Sequence, residues 1–117
     1  MRLNEIHFDA GLPVDGYGPG FFRVGGIVVR GAVAVLPAGV VAWGGYDDTA
    51  GLIAAAAALD VLFVGTGATI THVPAAFRAT LEAAGIGVEA MASPTAARTY
   101  NVLLSEGRRV GLVMLPV

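Results

Sequence analysis

The sequence predicts an α/β domain in which helices alternate with strands of a sheet covered on both sides, preceded by an N-terminal β-meander. Three observations predict it. Residues 1–46 consist of short apolar runs punctuated by Gly and Pro, which is how strands and turns read. After Asp47-Asp48-Thr49, apolar residues recur at three- and four-residue spacing in three separate stretches, the period of an amphipathic helix. Between and after those stretches lie Val61 to Val64, Ile86 to Ala90 and Val110 to Leu115, short apolar segments suited to buried strands. Alternation of this kind places helices over a shared sheet.

Taken in order, Leu3 to Phe8 is the first candidate strand, and Gly11 to Gly20, with two prolines, reads as a turn region. Phe21 to Val24, Ile27 to Arg30 and Ala32 to Leu36 follow as strands jointed at Gly25-Gly26 and Gly31, and Val40 to Trp43 makes one more. Asp48 or Thr49 is placed to accept the free amides of a first helical turn, and Leu52, Ile53, Ala56 and Leu59 form its inner face. Val61 to Val64 is bounded by Asp60 and Gly65. Pro74 opens the second helix, where a missing N–H costs little, and Gly85 closes it. Phe77, Leu81 and Ala84 face inward. Ser93-Pro94 starts a third helix by the same capping logic, with Ala97, Tyr100 and Leu104 on one face, and Gly107 ends it before the last strand. With 117 residues and no linker, repeat or low-complexity tail, the chain reads as one domain over 1–117.

Composition removes several function classes. There is no cysteine, so zinc ribbons, iron–sulfur ligation and thiol nucleophiles are excluded. His7 and His72 stand alone, without an acidic or histidine neighbour at a ligand spacing, so no metal and no cofactor are expected. The net charge is -2, all seven basic residues are arginine, and Arg108-Arg109 is the only adjacent pair. Phosphate backbones and anionic membrane surfaces need a concentrated basic face, so neither nucleic acid nor a polybasic anchor is expected. Met1 to Phe8 mixes charged and apolar residues and carries no targeting signal. The longest uncharged stretches fall short of the ~20 apolar residues a spanning helix needs. A cytoplasmic protein is the resulting expectation. Charged residues are only 14% of the chain and apolar residues 56%. Two readings of that deficit stay open: alanine inflates the apolar count, or another chain, including a second copy of this one, covers part of the surface.

The stretch Asp60-Val61-Leu62-Phe63-Val64-Gly65-Thr66-Gly67, with Gly85 to Met91, Arg98-Thr99-Tyr100-Asn101 and Leu104 to Val110, closely resembles a family of Mth-like domains of unknown function. That family includes the mitochondrial respiratory complex I assembly factor three and the adipogenesis-associated Mth-like domain protein. The resemblance spans nearly the whole chain, strongest from Asp60 to Val110. It implies a three-layer α/β domain: a central mixed sheet with helices on one side and a β-meander plus a helix on the other. It also implies protein partners, in association with a respiratory or other membrane complex.

Three constellations bear on chemistry. Gly65-Thr66-Gly67 follows a strand, at the sheet end where α/β proteins bind ligands; it lacks the third glycine of a dinucleotide fingerprint, since position 70 is Ile70. It is either a tight strand exit or an anion cradle. Arg98, Thr99, Tyr100 and Asn101 lie on the third helix; beside Gly65 to Gly67, Arg98 and the amides near Ser93 and Thr95 would form an anion-binding corner, or Arg98 and Asn101 brace a loop. Finally, Asp47, Asp48, Asp60, Glu82, Glu89 and Glu106 show no spacing that sets two carboxylates to acid and base work. His72 has no acid partner for a triad. No catalytic residue is assigned. The expectation is a non-catalytic protein-binding domain, with an anionic-ligand binder or enzyme using the Gly65-Gly67/Arg98-Asn101 corner as the alternative.

Overall fold

The computed structural model describes residues 11–117, so the strand expected at Leu3 to Phe8 lies outside the described residues. Eight strands and three helices follow: β1 (Val14–Gly18), β2 (Phe21–Val24), β3 (Ile27–Arg30), β4 (Val33–Leu36), β5 (Gly39–Ala42), α1 (Ala50–Ala54) with a 3-10 turn (Ala56–Ala58), β6 (Val61–Gly65), α2 (Ala75–Ala83), β7 (Gly87–Met91), α3 (Ser93–Ser105) and β8 (Val110–Met114). β1, β2 and β3 form an antiparallel meander, while the other five strands make one mixed sheet in the order β5-β4-β8-β6-β7. β6 runs parallel to both β7 and β8, and β4 runs antiparallel to β8 and β5.

The inner strands β4, β8 and β6 are buried on both faces, and the period-2 pleat divides the sheet's residues between two cores. Val33, Val35, Phe63, Val110, Leu112 and Met114 point into one, where Ala96, Ala97, Tyr100 and Leu104 of α3 meet Val14, Phe22 and Val24 of the meander. Ala34, Leu36, Leu62, Val64, Val88 and Val113 point into the other, against Leu52 and Leu59 from the α1 region and Phe77 and Leu81 of α2. The molecule therefore has three layers, as the family resemblance implies.

Both longer helices stop by one device. After α2, Gly85 donates to Glu82 O and Ile86 to Leu81 O; after α3, Gly107 donates to Leu104 O and Arg108 to Leu103 O. Each pair is a Schellman closure. It needs a left-handed residue, and Gly85 and Gly107 have φ of 88° and 78°.

Three expectations require correction. Gly11 to Gly20 is not all turn, because Val14–Gly18 is strand; Pro13 and Pro19 flank the ladder, and a bulge between Val14 and Gly16 absorbs Asp15. The predicted caps are not formed. Thr49 makes no capping bond, and Asp48 instead accepts the Gly44 amide at 2.8 Å while its carbonyl takes the Trp43 indole N–H. Ser93 lies inside the first turn of α3, with Ala92 at the cap position. Ile53 does not face inward: α1 is only five residues long, passes into a 3-10 turn after Ala55, and leaves Ile53 41% exposed.

Candidate functional site

The chain reverses direction in the sheet at β6. From β6 it passes through α2 to β7 on one side, then through α3 back across to β8 on the other. The carboxyl end of β6, Gly65-Thr66-Gly67, is thus the position where open α/β sheets hold ligands. Here that position is filled by the chain itself. Thr66 donates its amide to Met91 O at 2.8 Å, Gly67 donates to Ser93 Oγ at 2.9 Å, and Ser93 returns its own amide to Gly67 O at 2.8 Å. The Ser93 hydroxyl then donates to Leu115 O at 2.7 Å, and Leu115 N–H bonds Gly65 O at 2.9 Å. Thr66 Oγ1 folds the following loop by donating to Thr69 O and accepting the Thr71 amide. Ser93 is fully buried. A Cβ on Gly65 would lie 2.8 Å from the Ser93 Cα, so the missing side chain is what lets the start of α3 close onto the strand. The sheet order brings Gly65, Thr66, Gly67 and Ser93 together, and the amides of Thr66 and Gly67 are already bonded.

Arg98 is elsewhere. It lies one turn further along α3, where the helix passes the edge of β1 rather than the end of β6. The residues beside it tie those two elements together. Asn101 Nδ2 donates to Val14 O and Val14 N–H donates to Asn101 Oδ1, both at 2.8 Å. Tyr100 Oη donates to Leu12 O at 2.8 Å. The Tyr100 ring is fully buried, and that burial pushes its hydroxyl well above the ordinary phenol value of 10.0. Thr99 is half-buried and makes no side-chain hydrogen bond among the described residues.

Arg98, Ala97, Pro94 and Asn101 on α3 and Val14 to Tyr17 on β1 line a groove of about 240 Å³. Val14 and Ala97 supply a largely buried apolar floor, whereas Arg98 and Tyr17 are exposed. The Asp15 carboxylate accepts the Gly26 amide at 2.6 Å. Sequence reasoning placed Arg98 and Asn101 on one helix edge but missed Val14 to Tyr17, because prolines and glycines hid the strand. The available signal was the pair of β-formers Val14 and Tyr17 between Pro13 and Pro19.

Two other depressions, each of about 240 Å³, lie elsewhere on the surface. His72 and Thr71 line one with Ile70, Val73, Arg78 and Ala90; Arg78 there donates to Val88 O at 2.9 Å and approaches Glu82 at 3.6 Å. The second lies beside an edge-to-face cluster of Trp43, Tyr46 and Phe77. Its Tyr46 hydroxyl is buried without a partner among the described residues, and burial raises its pKa. Asp60, of the acidic set, pairs with Arg109 at 2.9 Å on the surface. Among the described residues no group of three His, Cys, Asp or Glu could hold a metal ion.

The fold is that of a small α/β domain with an antiparallel meander and a five-stranded mixed sheet. A family model described as a protein of unknown function (DUF498/DUF598) matches residues 14–115, and the chain belongs to that family. It is 49% identical over its full length to an uncharacterised protein of Rhodobacter capsulatus, covering 94% of that relative. The NADH dehydrogenase [ubiquinone] 1 alpha subcomplex assembly factor 3 of Danio rerio is 32% identical over 99% of this chain and 71% of its own length. Among solved structures, one described as an outer membrane protein from Bartonella henselae superposes with a TM-score of 0.84 at 31% identity, covering 95% of this chain and 99% of that one. A solution structure from Bordetella pertussis, described as a Mth938-like domain, gives 0.75 at 31% identity over 99% and 91% of the two chains.

Proposed function

We propose that the protein is a non-catalytic binding domain that engages other proteins during assembly of a respiratory or other membrane complex, acting from the cytoplasm. The observation that supports this most is the assembly-factor relative, which is matched across 99% of this chain. A fold can carry unrelated functions, so the surface has to supply the partner. No helix of the described residues is long and apolar enough to cross a membrane, and the proposed association is peripheral. The surface offers exposed apolar side chains on several elements, among them Tyr17, Ile27 and Val41 at 51%, 60% and 58% exposure.

The test is affinity capture of the tagged full chain from its own host at native expression, with mass spectrometry of intact partners and small molecules. Stoichiometric recovery of respiratory or membrane-insertion subunits is expected. A protein recovered clean, carrying one small anionic molecule, would overturn the reading in favour of a ligand binder, which the exposed Arg98 in the α3/β1 groove favours as the second reading. Fractionation settles location, since the Bartonella neighbour's description names the outer membrane.

A further inference from the structure

The edge of β1 away from β2 has two outward-facing backbone rungs, and among the described residues the chain uses one of them. Gly31 donates to Gly20 O at 2.9 Å. Bonded pairs alternate along an antiparallel ladder, so Phe22, opposite Val29, turns its N–H and C=O toward β3. Tyr17, opposite Phe22 in the β1–β2 register, therefore directs its own N–H and C=O away from the sheet. Val14 does the same, and there Asn101 supplies the two bonds that a neighbouring strand would make. The Tyr17 rung has no such partner among the described residues.

The surroundings of that rung fit an incoming chain. Gly16 leaves the groove open, since a Cβ built on it meets nothing within 4 Å. Val14, Pro94 and Ala97 offer an apolar floor, and Arg98 brings a cation to the level of Tyr17. Asp15 is turned to the Gly26 amide. We propose that this groove docks an extended segment of a partner protein by strand addition at Tyr17, with an internal Asp or Glu of that segment held by Arg98. Main-chain bonds at a sheet edge supply affinity in this mode, and the pocketed side chain supplies selectivity. A guanidinium matches a carboxylate with two parallel N–H···O bonds. The inference rests on the protein-binding reading above and names the chemistry of the partner.

The experiment is a ¹H–¹⁵N correlation titration of the full chain with acetyl-Val-Glu-Val-amide. The expected result is shifts confined to Gly16, Tyr17, Ala97, Arg98 and the Asn101 side-chain amide. The Gln tripeptide should bind about fivefold more weakly, and Arg98→Gln should erase that difference. Gly16→Leu, which fills the groove from a position with open space around it, should keep the spectrum's dispersion and lose the binding. A Tyr17 amide that does not move, equal affinity for the Glu and Gln tripeptides, or tighter binding of glutarate or of a tripeptide whose only carboxylate is its C-terminus would each overturn the proposal. Capture of partner subunits by wild type and equally by Arg98→Gln and Gly16→Leu would also overturn it, while leaving the protein-binding reading in place.

Discussion

Replacing Asn101 by alanine removes the brace that joins α3 to the meander. Two hydrogen bonds of 2.8 Å are lost, and the Val14 N–H and C=O they satisfied belong to a residue only 8% exposed. Each bond contributes about 1 kcal/mol net, and a buried group left unpaired costs about 1–3 kcal/mol. Asn101 itself is half-buried, so water enters part of the vacated space. The expected loss is about 2–3 kcal/mol, a large fraction of the ~5–15 kcal/mol that holds an ordinary domain folded. At ~2.1 cal/mol/K per residue, the melting temperature should fall by roughly 10 °C. Urea unfolding followed by circular dichroism is the assay, with Val102→Ala, at a 49% exposed site on the same helix, as a control expected within about 0.5 kcal/mol of wild type. A loss below about 0.5 kcal/mol for Asn101→Ala would refute the reasoning, since it would mean that the Val14 rung is as well satisfied by solvent.

Gly65→Ala should cost about 1–3 kcal/mol by overpacking, because its Cβ would meet the Ser93 Cα at 2.8 Å and the Met114 Cγ at 3.0 Å; a thermal melt reads it, and a wild-type value would show that α3 can shift. Tyr100 is raised by burial from 10.0. Its stabilising effect is therefore complete below that value and declines as pH rises above it, where the unfolded chain ionises first. Tyr100→Phe should flatten the alkaline fall in stability measured by denaturation between pH 9 and 11, with Tyr46, raised in the same direction, supplying the remainder. The Arg109 hydrogen bond holds the Asp60 carboxyl below its ordinary value. Its contribution is present above the unfolded value and lost as pH falls through the folded one, and a carboxyl NMR titration of Arg109→Gln should return Asp60 toward the ordinary range. High salt should weaken that difference, since both groups are on the surface.

Most of the strand and helix order could be read directly. β2 and β3 fall on their expected residues, and β4, β5, β6, β7 and β8 lie within one residue of theirs at either end. Period and Gly or Pro punctuation carry that information locally. β1 was missed because prolines and glycines hide its two β-formers, Val14 and Tyr17, and its register further depends on a bulge that no local pattern announces. The caps failed for a related reason. Asp48 and Ser93 are good capping residues, yet each hydroxyl or carboxylate found a partner outside its helix. The layers came from family resemblance. Whether Gly65 to Gly67 lie beside Ser93 depends on the sheet order, which the sequence left open, and the direction in which Arg98 projects depends on which edge of α3 passes β1.

The place of β8 in the sheet orders events during synthesis. β8 is the last strand in sequence, yet it lies between β4 and β6, and it is what joins the β4–β5 hairpin to the parallel pair β6–β7. A nascent chain lacking Val110–Met114 therefore has two sheet fragments, each with an apolar edge turned toward the other. Such edges are templates for pairing with the wrong chain, and they stay exposed until β8 takes its place between them.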